Sequence, residues 1–352
     1  MDRTRSSSPR DGGTPSDKHT AFGAHPMPKA RIASEGGCGP NMAAMSAIAK
    51  PRRYVTADVF TDRLFQGNPV AAVLDAEGLS AAQMQAIARE FNYIESTFVL
   101  PPEDPAHTAR VRIFTPAREV PFAGHPNIGT AFILAREAAE RGEPAPRRMV
   151  FEEAAGLVPI DLLWNGETLA GAELACPEPL SRRGQVAAEQ AAACLCLDPA
   201  DIRTVDHQPQ VVSVGLPFLV VELASRDAMR RARPDKAAYG RVLPLDGAHA
   251  IYVYTQSLGP NEAYADLQSR MFTGYMAEDP ACGSGTAAVA ALQAEIRRSA
   301  DLVLRVRQGV DMGRPSTLLT RVTRGDGAAP VVKLGGRCVP VMEGVLCMPD
   351  AG

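Results

Sequence analysis

Glu278-Asp279-Pro280-Ala281-Cys282-Gly283-Ser284-Gly285 leads from a turn into an apolar run that includes Ala287, Val289, Ala290 and Leu292. A helix this apolar cannot lie on a surface, so it is expected to be wrapped by its own sheet. Ala123-Gly124-His125-Pro126 has the same form in the first half of the chain and opens an apolar helix that runs towards Glu140. Two similar α/β halves are the expectation. Ala123–Pro126 can be laid over Cys282–Gly285, and a three-residue shift aligns the following Gly-Thr-Ala nearly as well.

Outward from these helices, Arg53 to Phe60 has the β-branched and aromatic content of a strand, followed by a Gly67-Asn68-Pro69 turn and a second strand, Val70 to Leu74. Ser80 and Gln83 have the spacing of a capping box, and Met84, Ile87, Ala88 and Phe91 fall on one face, which predicts a helix. Strands are expected at Ser96–Leu100 and Arg110–Thr115. The pattern begins again from about residue 149, at Met149–Glu152, Leu157–Leu163, Val211–Val214, Leu219–Leu223 and Ile251–Thr255. The first lobe is assigned to 52–165 and the second to 166–335. Residues 1–51, rich in Ser, Gly, Pro, Arg and Ala and containing Met27, Met42 and Met45, read as a disordered extension or as the result of an early start codon.

With 45% hydrophobic residues, 22% charged residues and a net charge of -3, the chain has the composition of a soluble globular protein and no basic field for nucleic acid. No run approaches the length of a membrane span, and the N-terminus has no apolar leader, so the expected location is cytoplasmic. The seven cysteines are an odd number scattered over the chain, unlike a secreted disulfide framework. Cys194 and Cys196 have no second Cys or His pair at zinc spacing, so no metal is expected.

Both central helices start at a glycine loop, where free N–H groups and the positive end of the helix dipole favour an anion. Two such ends facing one cleft suit a carboxylate. Gly283-Ser284-Gly285-Thr286 lacks the Lys and the third glycine of nucleotide loops, which disfavours phosphate. Glu95, His125 and Asp279 are the titratable residues near these loops. Glu95 lies among Tyr93, Ile94, Thr97, Phe98 and Val99, a setting that raises a carboxyl pKa and suits proton transfer at carbon. Taken singly, each has a plainer reading: a solvated strand-edge glutamate, a helix-cap or core histidine, and a turn or N-cap aspartate.

Read together, Asp58-Val59-Phe60-Thr61-Asp62, Gly67-Asn68-Pro69-Val70-Ala71, Ile94-Glu95-Ser96-Thr97-Phe98-Val99, Arg112-Ile113-Phe114-Thr115-Pro116 and Pro121-Phe122-Ala123-Gly124-His125-Pro126 resemble the successive signatures of the PhzF family. Glu278 to Gly285 resembles that family's E-D-P-A-T-G-S loop, and Gln308-Gly309-Val310-Asp311-Met312-Gly313-Arg314-Pro315-Ser316 its Q-G-x-x-M-G-R-P-S segment. The likeness covers about Tyr54 to Pro349. It implies a diaminopimelate-epimerase-like α/β fold of two pseudo-symmetric lobes, each a curved, mostly antiparallel sheet around a central helix, with the active site between them. It also implies an isomerase of the trans-2,3-dihydro-3-hydroxyanthranilate type, with Glu95 as general acid/base and His125 and Asp279 on polar groups of the substrate. Gly124, His125, Gly283 and Ser284 are implied to hold its carboxylate, with no cofactor, in a homodimer. Strands at about 336–350, Cys338–Met342 and Val345–Met348, are implied to return to the first lobe.

Cys282 stands where the family loop carries Thr, at the start of a helix where related epimerases and racemases place a catalytic thiol. Helix N-termini lower thiol pKa values, so Cys282 is a candidate reactive thiol and racemisation or epimerisation is the alternative activity. The position facing it is Ala123 on the first superposition, which leaves a two-thiol enzyme without its partner. A serine hydrolase built on Ser284 lacks the G-x-S-x-G elbow. A non-catalytic small-molecule binding protein is the remaining alternative, and its mark would be loss of Glu95.

Overall fold

The structure, a computed structural model, describes residues 48–144, 146–259, 264–324 and 329–349. The expectation for residues 1–51 therefore lies, up to residue 47, outside the described residues. The first lobe runs β1 (Ile48–Val59), β2 (Asn68–Val73), α1 (Ala81–Phe91), β3 (Glu95–Leu100), β4 (Ala109–Phe114), β5 (Glu119–Val120), α2 (Gly124–Glu140), β6 (Arg148–Glu153), β7 (Gly156–Asn165) and β8 (Thr168–Ala175). After β9 (Ser181–Gln185) and α3 (Ala188–Cys194), the second lobe runs β10 (Gln210–Ser213), β11 (Pro217–Glu222), α4 (Arg226–Arg231), α5 (Lys236–Val242), β12 (Ile251–Thr255), β13 (Leu267–Phe272), β14 (Glu278–Asp279), α6 (Gly283–Ile296), β15 (Asp301–Gln308), β16 (Ser316–Thr323) and β17 (Val331–Pro349).

The strand pairing repeats. β2 pairs in parallel with β3, β3 antiparallel with β4, and β4 with both β5 (antiparallel) and β6 (parallel). β11, β12, β13, β14 and β15 follow the same sequence of pairings. The parallel pairs β4–β6 and β13–β15 each need a crossover, which α2 and α6 supply. β5 ends at Val120 and α2 begins at Gly124, as β14 ends at Asp279 and α6 begins at Gly283, so Ala123 and Cys282 are the equivalent N-cap residues. The first of the two superpositions is the structural one.

β17 stitches the lobes together. Lys333 to Arg337 pair with Ala175 to Gly171 of β8, and Cys338 to Pro349 pair with Val59 to Ile48 of β1, with a bulge at Val341, after Pro340. Pairing with Met348 and Pro349 carries β1 back to Ile48, earlier than the Arg53 expected. One apolar core runs through both lobes, with Val59, Ile128, Phe132, Val289, Leu292 and Leu334 among its buried members. α1 covers the outer face of the first sheet through Met84, Ile87 and Ala88 against Val73, Phe98 and Phe114, and its capping box closes between Ser80 and Gln83. α3, α4 and α5 cover the second sheet. Among the described residues no helix is long and apolar enough to cross a membrane.

Gly285 is set by close packing: a Cβ there would run into the Tyr252 ring. That ring cannot easily yield, because its hydroxyl is bonded to Ser269 Oγ at 2.8 Å and Thr286 Oγ1 at 2.7 Å. Gly285→Ala is expected to destabilise the protein by about 1–3 kcal/mol, the usual cost of overpacking, read as a lower urea midpoint with an unchanged slope.

Candidate active site

Glu95 opens β3 beside Val70 of β2, and His125 is the second residue of α2. The two side chains meet, His125 Nδ1 lying 3.4 Å from Glu95 Oε2, and only 6% and 16% of them remain exposed. The contact has ion-pair distance but not hydrogen-bond alignment, and Glu95 Oε2 and His125 Nε2 are both buried without a hydrogen-bond partner. Burial, and after it the Asp279 charge, pushes the Glu95 carboxyl up to about 8. Burial holds His125 down at about 3 against the raising effect of the Pro69 backbone, so its ring is neutral. The pair is thus an acid that titrates near neutrality beside an uncharged imidazole, not a fixed ion pair.

Asp279 arrives from the other lobe at the end of β14. Its Oδ1 accepts from Ala281 N–H at 2.9 Å, the turn bond expected of an Asp before Pro, and from Asn68 Nδ2 at 2.9 Å. Asn68 Nδ2 also donates to Ala281 O at 3.0 Å, so this fully buried amide ties the start of β2 to the turn before α6. Gln308 braces the same turn, with Nε2 donating to Asp279 O at 2.8 Å and Oε1 accepting from Cys282 N–H at 3.2 Å. Gly309, with φ of 71° and no room for a Cβ beside the Pro280 and Arg314 carbonyls, lets β15 turn away directly after it. Arg314 closes the interface, its Nη2 donating to Asp58 Oδ1 at 2.6 Å and Gln66 O at 3.0 Å and its Nε to Gly67 O at 2.9 Å. Asp279 itself is raised to about 6 by burial, against the bonds from Ala281 and Asn68.

The structure therefore brings Glu95 and His125 of the first lobe together with Asp279 and Cys282 of the second: the Asp279 charge acts on Glu95, and both carboxyl groups act on the Cys282 thiol. Gly124 and Gly283 are buried at their helix starts, and Ser284 keeps partial exposure. Cys282 behaves otherwise than a helix end alone implies. Burial, then Asp279, raise its thiol well above the ordinary value and outweigh the Gly285 and Ser284 N–H groups, so the sulfur is a neutral thiol. Its Sγ accepts from Gly285 N–H at 3.4 Å and caps α6. Asn68, Gln308 and Arg314 were given no role from sequence, although all lie in segments that carry the family resemblance; their bonds reach across 26 to 256 positions of the chain, so no local spacing reveals them.

Residues 57–344 match the family described as PhzC-PhzF, phenazine biosynthesis-like protein. The chain is 38% identical over 302 residues to an uncharacterized isomerase of Mesorhizobium japonicum, covering 84% of this chain and 98% of the relative. It is 33% identical over 296 residues to trans-2,3-dihydro-3-hydroxyanthranilate isomerase of Pseudomonas aeruginosa, covering 83% and 98%. Among solved structures, the PhzF-family phenazine biosynthesis protein of Bacillus anthracis superposes with a TM-score of 0.75 at 24% identity, covering 85% of this chain and all of that one. With its two-lobed fold and these relatives, the chain belongs to the PhzC-PhzF family and is an isomerase.

Proposed function

We propose that the protein moves a proton between two carbons of a small carboxylated substrate, with Glu95 as the single acid/base. The observation that carries this reading is the buried Glu95 carboxyl with an unpartnered Oε2 and a pKa near 8. The carboxylate form breaks a C–H bond and takes the proton, the electron pair stays in the conjugated substrate, and the resulting carboxylic acid, whose O–H proton exchanges with solvent, delivers a proton to a second carbon. Protons balance and no redox partner is needed. An acid titrating near neutrality suits both half-steps. The Gly124 and His125 amides on one helix end and those of Gly283 and Ser284 on the other hold the carboxylate, fixing the substrate over Glu95. Neutral His125 and Asp279 meet its polar substituents. By relation to the Pseudomonas aeruginosa enzyme, the substrate is trans-2,3-dihydro-3-hydroxyanthranilate or a close analogue. The test is incubation with that compound and a panel of amino and hydroxy acids in deuterated water, following carbon-bound hydrogen by NMR. Isomerised product carrying deuterium at the receiving carbon supports the reading; isomerisation that persists undiminished in Glu95→Gln overturns it.

A second reading, epimerisation by Cys282, is favoured by the proximity of a neutral thiol to Glu95 and Asp279. Against it stands Ala123 at the equivalent N-cap, and the use of Sγ as the cap of α6. Cys282→Ala is expected to keep activity within about tenfold, the loss being that of a weak cap. Its abolition, together with inversion at one carbon in the wild type, would transfer the chemistry to the thiol.

A further inference from the structure

Equivalent strand registers single out a residue that the proposed reaction does not use. Ala109 and Arg110 of β4 pair with Phe151 and Glu152 of β6, and Leu267 and Gln268 of β13 pair with Val306 and Arg307 of β15. The next residues, Glu153 and Gln308, are therefore counterparts in the two lobes. Gln308 staples the turn before α6 by donating to Asp279 O and accepting from Cys282 N–H. The corresponding groups of the first lobe belong to Val120, the end of β5, and Ala123, the N-cap of α2. Both Glu153 carboxyl oxygens are buried and lack an aligned hydrogen-bond partner, and Asn127, in the first turn of α2, lies beside them with its own amide atoms unpaired.

We propose that Glu153, unpartnered in the position from which Gln308 braces Asp279–Cys282, is a positioning residue for the substrate carboxylate and, when substrate binds, offers the Val120–Ala123 turn one donor and one acceptor. It acts as the neutral acid, because a protonated carboxyl offers the donor and acceptor of a glutamine amide whereas a carboxylate only accepts. Burial favours that form, lifting its pKa to about 8 against the effect of Asn127. The charged groups that share a surface hollow with Glu153 are engaged elsewhere: Arg110 on Glu103 and Arg112 on Glu119, each at 2.7 Å, and Glu152 on His107 and the Glu103 and Asp104 amides. Ionised Glu153 would lose its donor and set a negative charge beneath the helix end that holds the substrate.

The proposal rests on the carboxylate-binding reading of α2. Its test uses the full chain, with anthranilate as a non-reacting probe and trans-2,3-dihydro-3-hydroxyanthranilate for turnover. Glu153→Leu should raise KM and weaken anthranilate about tenfold or more with a smaller effect on kcat, and Glu153→Gln should restore both. In a Glu95→Gln background, where residue 95 cannot titrate, anthranilate affinity should fall about tenfold from about pH 6.5 to 9.5 and hold steady once Glu153→Gln is added. This second arm does not depend on the Leu variant folding. Anthranilate binding indifferent to residue 153, or a Gln variant as impaired as the Leu variant, overturns the proposal alone. No anthranilate binding by the wild type overturns the carboxylate reading and the proposal with it.

Discussion

Glu95→Gln is expected to abolish deuterium incorporation at substrate carbon, with kcat falling by about 10²- to 10⁴-fold, the range associated with a positioned acid/base. The amide keeps the shape of the side chain and leaves the helix-end amides untouched, so carboxylate binding should persist. Stability supplies an independent check. The folded Glu95 carboxyl titrates at about 8, above its ordinary value near 4.5. For an acid raised in this way, ionisation opposes folding: its neutral form is accommodated below the unfolded pKa, and stability is lost as pH rises through the folded one. The wild type should therefore lose thermal stability between about pH 5 and 9, and Glu95→Gln should lose less. A variant that still exchanges carbon-bound hydrogen would remove Glu95 from the mechanism.

Asp279 should give the second large effect, with two substitutions separating its roles. Asp279→Ala removes the acceptor for both Asn68 Nδ2 and Ala281 N–H, leaving buried donors unpaired where the lobes meet. Each abandoned donor costs about 1–3 kcal/mol, so the melting temperature should drop markedly and activity with it. Asp279→Asn retains an acceptor oxygen and should stay folded. Because the Asp279 charge is the second cause, after burial, of the raised Glu95 pKa, its removal should shift the Glu95-dependent limb of the pH–rate profile towards lower pH. A limb unchanged in the Asn variant would show that the two carboxyl groups are uncoupled.

How much of this was legible in sequence differs from element to element. α1 was readable from its capping residues and one apolar face, and α2 and α6 from apolar runs entered through glycine loops, because those signals are local. β9, Ser-Arg-Arg-Gly-Gln, carries no strand signal and exists because β10 lies alongside it. The C-terminal stretch reads as two strands, Cys338–Met342 and Val345–Met348, yet β17 continues as one because Glu343 and Gly344 between them pair with Val55 and Tyr54 of β1. The candidate site shows the same division. Glu95, His125 and Asp279 stood out only when the segments around them were read as a family pattern, since each alone has an ordinary structural explanation.

By itself, the sequence determined the central helices, most of the strands around them and the family, all of which follow from side-chain periodicity and contiguous motifs. Only the tertiary structure decided which N-cap faces Cys282, the bracing of Asp279 by Asn68 and Gln308, the action of the Asp279 charge on Glu95, and the protonation preferences of His125 and Cys282. Those properties depend on burial and on charges brought together from opposite lobes, and neither is encoded in the spacing of neighbouring residues.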